Sequence, residues 1–362
     1  MSHSKSIEMT TGVAGQARIG WVDYAKGICI ILVVMMHTVN GIEHTLHSEG
    51  WMREIVDFAR PFRMPDFFLI SGLFLSRTLN GPLLDYLDHK LVHFVYFYLL
   101  WITLQLGILE VEMLISDPAL FAKVWLVSLV EPLNSLWFIH MLAIFYVVSR
   151  LVKDVPQLLI LAIAVGLQTL YQFGLIDTGW TVVDRFANRF VYFWFGYMAA
   201  PWIFQFARTV AQKAAAAGIF LLVWAFANYF LVELGAHNMP FSSLALGGAG
   251  AIAICIISAS LEKAERLTFL RYSGQHSIAI YLGFVFPLRL IEKFSDQLLE
   301  FVPSVGWLSA ISLAIIVALT LVARVVAIRI GFSWLYIRPG LAQGLDEHLP
   351  ASVRTGLVRS GL

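Results

Sequence analysis

Cysteine is nearly absent from the 362 residues, with Cys29 and Cys255 the two present. Both sit inside apolar runs, so there is no disulfide framework and no metal-type spacing, and small buried hydrophobes is the role such residues ordinarily fill. Charge is scarce too. Asp, Glu, Lys and Arg make up 14% of the chain against 59% hydrophobic residues, whereas a soluble domain carries about a quarter charged residues. The net charge of +1 comes with no basic arm and no Gly-rich phosphate loop, so nothing points to a nucleic-acid or nucleotide-loop partner. Residues 1–17, MSHSKSIEMTTGVAGQA, lack an apolar core and do not read as a cleavable signal peptide. They are expected to form a disordered cytoplasmic tail. No internal repeat is visible, which weighs against a transporter, since many transporters are built from repeats.

Long apolar runs are present throughout, such as LAIAVGLQTLYQF (161–173) and AISLAIIVALTLVA (310–323). A helix needs about 20 mostly apolar residues to cross a bilayer. Ten such spans can be read, near 20–40, 58–77, 91–114, 133–151, 157–175, 186–206, 214–234, 241–260, 274–291 and 306–328. Arg63, Pro65 and Asp66 interrupt the second, which is expected to be short or broken. The expected fold is all-α: a polytopic membrane helix bundle of about ten transmembrane helices over 18–335, with a C-terminal cytoplasmic tail at 336–362. Between the spans, 41–57 and 110–132 are short acidic loops.

Lysine and arginine set the direction of insertion. With the N-terminus in the cytoplasm, the outer side receives Arg53, Arg60, Arg63, Lys123, Arg185, Arg189, Arg289 and Lys293, and the inner side receives the other 17 of the 25. Both termini are therefore expected inside, as an even number of spans requires.

The first span, VDYAKGICIILVVMMHT (22–38), carries Lys26 near its inner end and His37 near its outer end. Eleven residues at 100° each turn a helix by about 1100°, about 20° past three full turns, so the two side chains share one face about 16 Å apart along the axis. A stripe runs Asp23, Lys26, Ile30, Val33, His37. Lys26 could simply snorkel to the headgroups and pair with Asp23, with His37 a helix-end residue. Ionisable groups within membrane spans, however, usually face a protein interior or a water-filled cavity. A shared face points to one enclosed passage serving both.

Three further clusters lie at the same two depths. In PFRMPDFFLISG (61–72), Arg63 and Asp66 are three apart and could pair near the level of His37. Arg77, Lys90 and His93 could join Lys26 in a cationic inner mouth, or serve as ordinary positive-inside anchors. In NSLWFIHMLAIFY (134–146), Trp137 and His140 stand about a turn in from the outer side. They could be substrate-binding groups, or a belt tryptophan and a core histidine.

Together these segments resemble the acyltransferase-3 family of membrane O-acyltransferases, within it the fucose 4-O-acetylase-like group. Lys26, ten intervening residues and His37 match the family's first-helix pattern. RMPDFFLISG (63–72) resembles its P-x-F-F-x-x-S-G segment, SLWFIHMLAIFYVV (135–148) its L-W-F-L segment, and RYSGQHSIAIYL (271–282) its late G-x-x-S-x-x-I-Y-L segment. The chain departs from the family where Lys90 and His93 replace two arginines, where Asp66 replaces an apolar residue, and where Gly283 replaces a histidine found in many members. No esterase-like domain is attached.

The resemblance implies an acyltransferase of a bacterial inner membrane. It would move an acyl group, acetyl by expectation, from cytoplasmic acyl-CoA (acetyl-CoA) to a hydroxyl of a carbohydrate or glycan acceptor at the outer side, with no metal. His37 would be the catalytic base, assisted by Arg63 and Asp66. Lys26, Arg77, Lys90 and His93 would hold acyl-CoA, and Trp137 and His140 the acceptor. Two other readings stand beside it: a transporter or flippase that uses the same polar stripe as a path without chemistry, and a non-catalytic partner subunit of a polysaccharide assembly system, which should tolerate loss of His37.

Overall fold

The structure, a computed structural model, describes residues 19–339. Within them the chain is helical and contains no strand. α1 spans Gly20–Leu46, α2 Met52–Phe58 and α3 Arg63–Gly72. α4 (Leu83–Leu87) and α5 (His93–Leu109) are joined by a π-helical turn, Asp88–Val92. α6 covers Val111–Ser116, α7 Pro118–Ser128, α8 Trp137–Leu151, α9 Gln157–Gln172 and α10 Thr181–Val210. α11 covers Ala214–Glu233 and α12 Ser242–Ala264, and the short α13 (Thr268–Gln275), α14 (Ser277–Gly283), α15 (Val285–Lys293) and α16 (Ser295–Leu299) lead to α17, Val305–Arg329.

Among the described residues five segments are long and apolar enough to cross a membrane: Gly20–Leu46, Leu83–Leu109, Ala214–Glu233, Ser242–Ala264 and Val305–Arg329. α7, α8 and α9 are shorter apolar helices. α11 turns Ile219, Leu222 and Phe226 outward, and α17 turns Trp307, Ile311 and Leu319 outward. Apolar faces of that extent have no place in water. The chain is an integral membrane protein, an all-α membrane helix bundle.

Lipid tails are as apolar as leucine, so burial alone does not hold such helices together; close packing does. Two glycine pairs bring backbones into contact. A Cβ on Gly274 of α13 would stand 1.7 Å from the Asp23 carbonyl oxygen, and one on Gly27 of α1 would stand 1.9 Å from that of Leu270. Likewise a Cβ on Gly72 would meet the Phe193 carbonyl oxygen at 2.0 Å, and one on Gly196 that of Leu69 at 2.2 Å, locking α3 against α10. Around the second contact lies an aromatic core, with Phe68 at 4.7 Å from Phe138 and 4.9 Å from Phe145 between ring centroids. Such offset and tilted pairs add attraction beyond their area.

The interrupted second span is short, as expected: a ten-residue helix, α3, with Pro65 in its first turn, where a missing N–H costs nothing. Three other expectations change. The ninth span is broken into α13, α14 and α15 at His276 and Phe284. The acidic stretch 110–132 is not a loop throughout but contains α6 and α7. Asp117 caps α7 by accepting the Leu120 N–H at 2.9 Å, with Pro118 in the first turn. The packed region also runs past 335: Arg338 Nη1 donates to Asp88 Oδ1 at 2.6 Å, and the Asp88 carboxylate holds the Arg338 guanidinium above its ordinary pKa. Residues 1–18 and 340–362, which include most of both expected tails, lie outside the described residues.

Candidate active site

α1 runs through the middle of the bundle, touching α3, α12, α13, α14, α15 and α17. The stripe on its surface therefore faces protein, and each end of the stripe opens into a cavity. At the Lys26 end the cavity measures about 410 Å³. The basic side chains of Lys26, Arg77 and Arg324 line it, with His93, Gln275, His276 and Tyr336, and Asp23 is the one carboxylate among its lining residues. Lys26 Nζ lies 5.7 Å from the centroid of the Phe74 ring and the Arg77 guanidinium 4.8 Å from it, so one aromatic ring meets both charges. Gln275 Nε2 donates to Asp23 Oδ2 at 3.1 Å, tying α13 to α1 beside the Gly27–Gly274 contact.

At the other end, His37 lines a cavity of about 650 Å³. Its imidazole packs against Phe284 at 5.1 Å between centroids, and its nitrogens make no hydrogen bond to a described residue. Arg63 and Trp137 line the same cavity, as the sequence reading expects of a shared site. Tyr281 braces it. Its hydroxyl donates to the Ser135 carbonyl oxygen and accepts the Phe138 N–H at 3.1 Å, so the I-Y-L segment holds the entry to α8, where Trp137 stands. Arg185 stacks on Trp137 with its guanidinium carbon 4.5 Å from the ring centroid. Arg60 pairs with Asp57 and lies 3.4 Å from His237 Nε2. Burial first, and then the charge of Arg60, pull His237 below the ordinary imidazole pKa, so its neutral ring can accept from Arg60.

The two cavities share no lining residue. The expectation of one open passage from Lys26 to His37 is thus corrected: the stripe is interrupted by Ile30, which is fully buried between Lys26 of one cavity and Val33 of the other. The partition is thin. On α14, Ala279 lines the Lys26 cavity and Tyr281 the His37 cavity, two residues and about 3 Å of helix rise apart.

Three expected site residues stand elsewhere. Asp66 does not pair with Arg63. Three residues on a helix leave side chains about 60° apart, enough to send Arg63 into the His37 cavity and Asp66 into an apolar crevice of about 370 Å³ with Trp21, Phe206, Gly248 and Cys255. Both Asp66 carboxylate oxygens are buried without a hydrogen-bond partner. His140 lines neither cavity; its Nε2 lies 3.1 Å from the Leu129 carbonyl oxygen and its ring packs on Tyr98, which makes it a core histidine. Lys90 places its ammonium 4.9 Å from the Tyr146 ring centroid and lines neither cavity, although His93 of the same expected mouth does. Conversely, Arg324 and Tyr336 at one end, and Arg60, Arg185, Arg189, Tyr281 and Arg289 at the other, were not singled out from the sequence as site residues. The arginines that the basic bias assigns to the outer side carried a signal nonetheless, since on that assignment they depart from the positive-inside pattern.

A family model described as "Acyltransferase domain" matches residues 19–323. The chain is also similar to Inner membrane protein YcfT of Escherichia coli (strain K12), 25% identical over 203 residues. That match covers 49% of this chain and 56% of the relative, so the chain spans little more than half of the curated relative it matches. No solved structure matches it. With its family match reaching across nearly all of the described helices, from α1 into α17, the chain belongs to the acyltransferase-3 family.

Proposed function

We propose that the protein moves an acyl group, acetyl in the simplest case, from acyl-CoA on the cytoplasmic side to a hydroxyl of a carbohydrate acceptor on the outer side of a bacterial inner membrane. In this reading about ten helices cross the bilayer and both termini are cytoplasmic, as the distribution of Lys and Arg favours. The observation that carries it is the pair of cavities on one helix, a cationic one around Lys26 and a second around His37, about 16 Å apart along α1.

The Lys26 cavity suits the phosphates of acyl-CoA. Lys26, Arg77 and Arg324 would hold them by charge-assisted hydrogen bonds, with His93 and His276 beside them. The flexible arm would pass Ile30 and bring the thioester beneath His37. An imidazole with no hydrogen bond to a described residue has a ring nitrogen open to accept a proton. As the acceptor oxygen attacks the thioester carbon, His37 takes the hydroxyl proton. The carbon–sulfur bond then breaks, and the leaving thiolate recovers that proton from the imidazolium. General-base assistance of this kind contributes about 10²–10⁴-fold. Arg63 would orient the acceptor beside His37 and Trp137 would face the sugar; Asp66, His140 and Lys90 are left without a direct role.

Purified protein in liposomes tests this. His37→Ala should lower acyl transfer at least 100-fold while leaving insertion and acyl-CoA binding intact, and Lys26→Ala should chiefly weaken acyl-CoA binding. Transfer by His37→Ala at the wild-type rate removes His37 as the base. One observation keeps the carrier reading in view: two cavities at opposite ends of a helix with a thin partition would also suit alternating access. Counterflow of an unmodified glycan without acyl transfer would favour it.

A further inference from the structure

The His37 cavity is lined by five arginines from four parts of the chain: Arg60 after α2, Arg63 at the start of α3, Arg185 and Arg189 on α10, and Arg289 on α15. These are five of the eight lysines and arginines that the sequence assigns to the outer side. The lining residues include one carboxylate, Glu292, which accepts from Arg289 Nη1 at 3.0 Å. Arg60 has Asp57. That leaves Arg63, Arg185 and Arg189 with no carboxylate partner among the described residues. Arg63 is 8% exposed; its Nη1 reaches only the Val56 carbonyl oxygen, at 3.5 Å, and its Nε is buried without a partner. The Nε of Arg189 is likewise buried and unpartnered.

Guanidinium groups gathered in one cavity repel one another, and burying one without a counter-charge is unfavourable. A neutral sugar would leave that cost standing. An anion would remove it, since the planar fork of arginine matches carboxylate and phosphate oxygens two at a time. The volume of about 650 Å³ lies within the range of small-molecule sites.

We infer that the acceptor is anionic: a hydroxyl-bearing carbohydrate whose carboxylate or phosphate groups are held by Arg63, Arg185 and Arg189 while its free hydroxyl faces His37. This rests on the acyl-transfer reading and narrows its acceptor. Arg185 also lies over the Trp137 ring, so an anion drawn to it would bring the sugar against that indole.

The test is equilibrium binding to full-length protein in phosphatidylcholine nanodiscs, with trigalacturonate and inorganic pyrophosphate as anionic probes, maltotriose as the neutral one, and acetyl-CoA measured in parallel. The expected result is binding of an anionic probe, weakened by added salt, with no binding of maltotriose. Arg63→Gln and Arg189→Gln should each weaken the anion about tenfold and leave acetyl-CoA affinity unchanged. Equal binding of maltotriose, no binding of either anion, or no effect of both variants would overturn the inference. So would a loss of acetyl-CoA affinity in those variants, which would make the donor the anion. If phosphatidylglycerol in the discs abolishes trigalacturonate binding, the arginines belong to a lipid headgroup and the acceptor assignment fails. Failure of acetyl-CoA to bind the wild type would instead sink the parent reading and leave the anion result standing.

Discussion

Asp66 and Arg63 show how a residue's role turns on 60° of helix. Spacing alone suggested a pair, because i and i+3 are neighbours on a helix surface. But α3 is wedged between the His37 cavity on one side and an apolar crevice on the other, and the two side chains part. Asp66 is left 1% exposed with both carboxylate oxygens unpartnered. An unsatisfied buried polar group costs about 1–3 kcal/mol, so Asp66→Leu is expected to raise stability by that order and to retain acyl transfer. Thermal unfolding in detergent, with a transfer assay beside it, reads both. Loss of transfer in a well-folded variant would return Asp66 to the site. His37 and Lys26 were legible because one helix carries both and its period fixes their shared face. Arg185, Arg189 and Tyr281 were not, since tertiary packing alone brings α10 and α14 to the same cavity.

Elements were legible where apolar length decides them. α1, α11, α12 and α17 fall within a few residues of the spans read from hydropathy. The breaks in the ninth span were not, because they lie where short helices weave around α1 rather than where a proline or a charge run would mark them. The glycines of the family-like segments gain a physical meaning at this scale. Gly274 of RYSGQHS lets α13 touch the backbone of α1, and Gly72 at the end of RMPDFFLISG lets α3 touch α10. Gly248 on α12 has nothing within 4 Å of an added Cβ and lines the apolar crevice. Gly274→Ala must push two backbones apart and should cost at least the about 1–3 kcal/mol of an overpacked core, with loss of acyl-CoA binding at the adjoining cavity. Gly248→Ala should be tolerated. Comparing their melting temperatures and acyl-CoA affinities checks this, and equal behaviour would mean the contact is not holding the site.

For the molecule as a whole, charge placement and cavity placement tell one story. Scarce charges in a membrane bundle are costly, and here they gather in two places, cations around Lys26 and arginines around His37, with Ile30 between them. The all-α membrane bundle could be read from the sequence, because hydrophobic length is a local property. The partition could not, because it is made by side chains of α1 and α14 meeting across the bundle. In the proposed reaction the donor's arm crosses it. The most direct measurement is an experimental structure with a non-hydrolysable acetyl-CoA analogue bound. The expected result has the phosphates among Lys26, Arg77 and Arg324, the Ile30 partition opened by the arm, and the acyl carbonyl carbon within about 4 Å of a His37 nitrogen, near the spacing of reacting groups. Phosphates lodged among Arg63, Arg185 and Arg189, or an acyl end held in the Lys26 cavity beneath a closed partition, would contradict it.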